Sequence, residues 1–210
     1  MFAAAVASAG VDVEWRVYRA YAGELPSRLD DCDGYIMTGS RAGAYDDEPW
    51  IAALEDFVRR LGASSQRLVG ICFGHQLIAQ ALGGAVEKSE RGWGIGIHVY
   101  DTRGAVPWMD PALSRFTVPV CHQDQVMALP DGALRLASSD HCENFVIQFN
   151  DTMMGIQGHP EFTRDYVDVL LDLREIRIAP DTVAAARESL GRSHDNVTIM
   201  QWIANFLALT

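Results

Sequence analysis

The stretch Gly70-Ile71-Cys72-Phe73-Gly74-His75-Gln76 constrains this chain more than any other. Ahead of it, Arg67-Leu68-Val69-Gly70-Ile71 is a short apolar run of strand character. Behind it, Gln76-Leu77-Ile78-Ala79-Gln80-Ala81-Leu82 puts apolar residues at helical spacing, and Gly83-Gly84 stops the run. A cysteine with a glycine two residues away on each side, between a strand and a helix, is the pattern of a nucleophile elbow. Small flanking residues let the backbone turn tightly and expose the side chain. The first N–H groups of the helix would then face the thiol and favour a thiolate. The competing reading of Cys72 is a buried structural cysteine, the commonest fate of a free thiol.

The elements around the elbow alternate. Residues 2–9 suggest a short helix closed by Gly10, and residues 13–19 a strand with alternating Val13, Trp15 and Val17. Residues 35–38 form another strand. A helix runs from Asp47-Glu48-Pro49-Trp50 through Leu61, with acids and a proline at its start and Gly62 at its end. Short strands follow at 95–100, 115–119, 133–137, 145–149 and 153–157, then helices at 163–177, 180–190 and 194–207. The pattern predicts an α/β fold, a three-layer doubly wound and mostly parallel sheet with an antiparallel extension. With no internal repeat or linker, residues 1–210 read as one domain.

A nucleophilic cysteine needs a base, and the base needs a group to orient it. Gly158-His159-Pro160-Glu161 follows the predicted strand at 153–157, which leaves His159 at a carboxyl end, where open α/β sheets place their sites. Glu161 is close enough to accept a hydrogen bond from one imidazole nitrogen while the other faces the thiol. The N–H of Phe73, next after the nucleophile, and the loop Thr38-Gly39-Ser40 are candidate oxyanion donors.

The elbow and the segment Gly155-Ile156-Gln157-Gly158-His159-Pro160-Glu161 together resemble class I glutamine amidotransferases, the Cys-His-Glu triad type. Asp33-Gly34-Tyr35-Ile36-Met37-Thr38-Gly39-Ser40 is similar to the strand and loop that form part of that family's oxyanion hole. Val120-Cys121-His122-Gln123-Asp124-Gln125-Val126 with Leu129-Pro130 resembles a segment of the GMP-synthase-like branch. The resemblance implies a flavodoxin-like sheet and a catalytic set of Cys72, His159 and Glu161. It implies an oxyanion hole at Phe73, Gly39 and Ser40, and substrate contacts from Gln76 and from the backbone around Gln123 and Asp124. An exposed helix position is the alternative for Gln76. The implied reaction is hydrolysis of glutamine through a γ-glutamyl thioester, with the ammonia passing to a separate accepting enzyme. A γ-glutamyl peptidase and a catalytically silent regulatory protein are the other readings. The chain also opens inside what resembles the family's first helix, so that fold's first strand is expected to be missing, through a late start or trimming.

Composition narrows the remaining classes. The apolar fraction is 49% and the charged fraction 21%, values normal for a globular enzyme. A net charge of −11 without a Lys/Arg cluster argues against nucleic acid and anionic membranes as partners. Cys32, Cys72, Cys121 and Cys142 show neither metal-site nor disulfide spacing, and no run reaches membrane-span length. A cytoplasmic protein without metal or cofactor, free to form homo-oligomers, is the expectation. His75 is expected to be structural, and His122 with Asp124 to be loop structure near the substrate rather than a second dyad. Neighbours His141, Cys142 and Glu143 converge poorly on one ion. Trp50, Trp93, Trp108 and Trp202 read as core or pocket wall.

Overall fold

The computed structural model describes residues 1–104 and 106–209. Numbered along the chain, the main sheet places its strands in the order β1 (Gly34–Met37), β2 (Arg67–Ile71), β9 (Met153–Ile156), β8 (Val146–Gln148), β7 (Leu134–Ser138), β4 (Gly94–Thr102) and β5 (Arg115–His122). β3 (Ala85–Lys88) and β6 (Asp124–Ala128) form a separate antiparallel pair. β1, β2 and β9 run parallel, and the ladders from β9 to β5 are antiparallel. The layered α/β fold is the expected one, but the sheet is not mostly parallel: two of its ladders are parallel and four antiparallel, so the expected extension is the larger part.

Strand alternation sends successive side chains to opposite faces. From β2, Leu68 joins one apolar layer while Val69 and Ile71 join the other; from β9, Met153 and Met154 divide in the same way. Helices α2 (Pro49–Gly62) and α3 (Phe73–Ala81) cover the first face, and α1 (Phe2–Ser8) and α6 (Asn196–Leu207) the second. The buried stripe of α2, Ile51, Leu54, Phe57, Val58 and Leu61, follows the helical period. Pro49 opens this helix after an extended Glu48, and Arg59 and Arg60 sit in its last turn, where the dipole favours cations. Each fully buried large side chain contributes about 1.5–3 kcal/mol. Trp202 is one of them, and its indole N–H is also satisfied by the Pro111 carbonyl at 2.9 Å. Helices α4 (Arg164–Arg174) and α5 (Pro180–Ser189) pack over β4 and β5 around Ile95 and Phe162.

Several sequence expectations are corrected. Residues 13–19 form no strand; they continue irregularly into a 3-10 turn at Ala20–Ala22. Their alternation is that of a strand, but no neighbouring backbone completes a ladder with them. α3 starts at Phe73 rather than Gln76, because the turn at Cys72 completes the change of direction within one residue. β3 and β6 were not anticipated, each being a short segment with little apolar periodicity. The helix expected over 163–177 ends at Arg174 and tightens into a 3-10 turn, Glu175–Arg177. Pro119 lies inside β5, which ends the sheet, the place where a missing N–H is tolerated. Among the described residues, no helix is long and apolar enough to cross a membrane.

Candidate active site

The elbow is built by close approaches that only glycine permits. A Cβ on Gly70 would stand 2.5 Å from the Gly74 carbonyl, and one on Gly74 would strike the carbonyl oxygen of Met37 at the end of β1. With both side chains absent, the start of α3 folds back onto β1 and β2. Cys72 between them has φ 53° and ψ −102°, a left-handed backbone that costs a non-glycine residue about 1–3 kcal/mol. Its N–H is donated to the Ile156 carbonyl at 2.9 Å, which ties the turn to the end of β9. Gly155 is equally constrained, since a Cβ there would sit 2.6 Å from Nδ1 of His75.

His159 lies just past the end of β9. Its backbone N–H is donated to the Pro119 carbonyl at 2.8 Å, so β5 as well as β9 fixes its position. The ring stacks on Phe162 with centroids 3.9 Å apart and planes 5° from parallel. Nδ1 is 2.8 Å from Oε1 of Glu161, and both side chains are buried. Gly39 borders the same small space. A Cβ on Gly39 would be 2.9 Å from Cε1 of His159 and 3.7 Å from Cβ of Cys72. The structure therefore brings Cys72, His159, Glu161 and the Gly39 loop together at the carboxyl end of the parallel strands. Ser40, on that loop, is exposed and its hydroxyl accepts from Ala42 N–H at 3.2 Å. Phe73 occupies the first position of α3, where backbone N–H groups lack intrahelical acceptors.

Burial alone pushes the His159 imidazole toward its neutral form. The nearby Cys72 sulfur and the hydrogen-bonded Glu161 outweigh that and raise its pKa to about 10. The imidazole thus holds a proton at neutral pH beside the sulfur. His75 differs completely. It is fully buried against Phe149, burial lowers its pKa to about 4, and its role is structural, as expected.

Gln76 is not an exposed helix residue. It is buried, and its amide donates to the Asp124 carbonyl at 2.8 Å and to Oε1 of Gln157 at 3.0 Å. This tether holds the loop at 122–124 against the elbow. The Gln123 carbonyl accepts from Ser89 N–H at 3.1 Å, and the Asp124 carbonyl also meets Nδ1 of His122 at 3.2 Å. His122 therefore pairs with the backbone of Asp124 and not with its carboxylate, so that pair is no second dyad. Tyr45, from the loop after β1, has its phenol pKa raised, first by burial and then by the negative charge of Asp124 nearby. His141, Cys142 and Glu143 diverge: Cys142 is buried, and Glu143 reaches outward to Arg135 at 2.8 Å. Among the described residues, no group of three or more metal-ligating side chains is arranged to hold an ion.

Four contributors escaped sequence reasoning: Pro119, Gln157, Phe162 and Tyr45. Phe162 stood next to Glu161 in a segment already singled out. Pro119, Gln157 and Tyr45 act across the fold, through a carbonyl, an amide and a phenol whose partners lie far away in sequence.

Comparison with known proteins places the chain in a family. The sequence model described as glutamine amidotransferase class-I matches residues 1–168. Gamma-glutamyl peptidase 5 of Arabidopsis thaliana is 32% identical over 80% of this chain and 70% of its own length. One subunit of the glutamine-hydrolysing GMP synthase of Methanosarcina mazei is 33% identical over 70% of this chain and 75% of its own length. The solved glutamine amido transferase of Methylobacillus flagellatus superposes with a TM-score of 0.81 at 25% identity, covering 99% of this chain and 87% of that one. A strand-to-helix turn carrying a cysteine, a buried His-Glu pair facing it, and these likenesses lead to one conclusion: the chain belongs to the class I glutamine amidotransferase family of enzymes.

Proposed function

We propose that this chain, acting as a single domain, hydrolyses the side-chain amide of glutamine through a γ-glutamyl thioester. The observation that carries the reading is the placement of Cys72 and His159 around the same Gly39 loop, with Nδ1 of His159 held 2.8 Å from Glu161. Sγ of Cys72 attacks the amide carbonyl carbon. The oxyanion that forms is held by the backbone N–H groups of Phe73 and of the loop at Gly39 and Ser40. His159 gives its proton to the departing nitrogen, ammonia leaves, and a thioester remains on Cys72. Water then adds to the thioester carbonyl while His159 takes its proton, and glutamate leaves as the Cys72–His159 pair is restored. Glu161 keeps the ring oriented and stabilises its charged form. Gln76, with the backbone of Gln123 and Asp124, shapes the pocket wall that receives the amino-acid end of the substrate. The ammonia passes to a separate accepting enzyme.

A second reading is a γ-glutamyl peptidase, with an amine rather than ammonia leaving. It is favoured by the name of the Arabidopsis relative. Glutamine and a panel of γ-glutamyl compounds, assayed for glutamate and for released ammonia or amine, decide between the two. We expect Cys72→Ala to lose turnover by at least about three orders of magnitude. We also expect a glutamine-like diazo ketone to label Cys72. Release from γ-glutamyl peptides but not from glutamine would select the peptidase. Equal turnover in wild type and Cys72→Ala would sink both readings, and a wild type inert to the panel and the label would leave the regulatory one.

A further inference from the structure

A second recess opens on the catalytic end of the molecule, outside the thiol site. It is a cleft of about 410 Å³ lined by Tyr21, Gly23, Glu48, Pro49, Trp50 and Ala53. Its place follows from the chain. Glu48 and Pro49 begin α2, which follows β1, so the cleft lies beyond the Gly39 loop at the same end of the sheet as Cys72. Trp50 is a fixed wall, because its ring packs on Phe73 with centroids 5.5 Å apart, and Phe73 directly follows the cysteine. Tyr21 stands on the opposite chain segment, on the 3-10 turn that Gly23 closes with φ 79°, and is 71% exposed. A Cβ added at Gly23 would meet nothing within 4 Å, so that part of the cleft is open.

The chemistry of the lining selects the occupant. Two aromatic residues and one acidic residue, Glu48, line the space, and among the described residues no basic one does. Aromatic faces attract cations, most strongly when a carboxylate stands nearby and the body of the ligand is apolar. The chain's net charge of −11 adds to the attraction. An anion would meet Glu48 with no counter-charge, and a neutral apolar group would leave the carboxylate unused. We infer that this cleft binds an organic cation, an alkylated or primary ammonium on an apolar body, with its charge between Tyr21, Trp50 and Glu48. Such a cation has two sources, the amine portion of a substrate held at Cys72 or a free amine acting as an effector.

Titration calorimetry with choline, on wild type and on the Cys72→Ala chain, tests the site without relying on turnover. Saturable binding with the same affinity in both is expected. Glu48→Gln should weaken it about tenfold and Tyr21→Ala severalfold, while the melting temperature stays put because both side chains are exposed. The inference is overturned if choline does not bind saturably. It is equally overturned if the neutral carbon isostere of choline binds as well, or if Glu48→Gln leaves the affinity unchanged. A kinetic arm, which does rest on the hydrolase reading, separates the sources. Should the cation belong to the substrate, Glu48→Gln raises KM for γ-glutamyl amides with a trimethylammonium leaving group and not for neutral ones. Should it be a free effector, choline changes the turnover of a neutral substrate in wild type and not in Glu48→Gln. Because the calorimetric arm stands alone, its failure removes the cleft proposal whatever becomes of the catalytic one.

Discussion

The elbow around Cys72 and the strand expected at residues 13–19 both show a clear pattern in the sequence and fare oppositely in the structure. The elbow is fixed by four backbone approaches, two within it, Gly70 against Gly74 and Gln76 N–H to the Cys72 carbonyl at 3.0 Å, and two to its surroundings, Gly74 against Met37 and Cys72 N–H to Ile156. Residues 11–19 have a stricter alternation than β1, yet their apolar side chains emerge step by step, from 9% exposure at Val11 to 40% at Trp15 and 79% at Val17. One pattern is tied to neighbouring strands, and the other, among the described residues, has no strand to pair with and only local bonds such as Arg19 to Glu24. Alternation names the faces of a strand, but a ladder needs a second backbone.

The comparison breaks first at Gly74. Gly74→Ala places a methyl against the Met37 carbonyl, a backbone atom that cannot swing away, and should cost about 3 kcal/mol or more in a denaturant titration. A loss below about 1 kcal/mol would mean that the close approach is not what holds the elbow. Glu161→Gln comes next. It should lower turnover on the order of a hundredfold and bring the alkaline limb of the pH profile down toward neutrality. The sign follows from His159: Glu161 is one of the groups that raise its pKa to about 10, and activity is lost as pH rises through the value at which the ring gives up its proton. An unmoved limb would separate Glu161 from the histidine's ionisation. Gln76→Leu removes the tether to Asp124 and leaves a buried carbonyl short of one donor; a loss of about 1–3 kcal/mol, with a raised KM, is expected. At the other extreme, Val17→Lys should change stability by less than about 0.5 kcal/mol and leave turnover alone. A large loss there would reveal a partner for residues 11–19 and undo the contrast.

Legibility in the sequence followed the same division. Cys72, His159 and Glu161 could be read because their geometry is set locally, by glycines two residues from the thiol and by a two-residue step from imidazole to carboxylate. The parallel strands and most helices were legible from periodicity. What could not be read depends on distant atoms. For Gln76 the sequence left a substrate contact and an exposed helix position both open, because the partner of its buried amide, the Asp124 carbonyl, is 48 positions away. The carbonyl of Pro119 offers no side-chain signal for its bond to His159. Strands β3 and β6 are short, and only their mutual pairing reveals them.

The strand order also bears on when the protein becomes reactive. β9 is the last strand made and lies between β2 and β8, so the sheet stays divided until residues 153–156 arrive. Until then Cys72 has no Ile156 carbonyl to hold its turn, and the histidine that would accept its proton has not been made. A chain that stops short of residues 153–161 therefore lacks the carbonyl, imidazole and carboxylate that surround Cys72 in the finished sheet. Folding of this kind, built on contacts far apart in sequence, is expected to be slow relative to its helices.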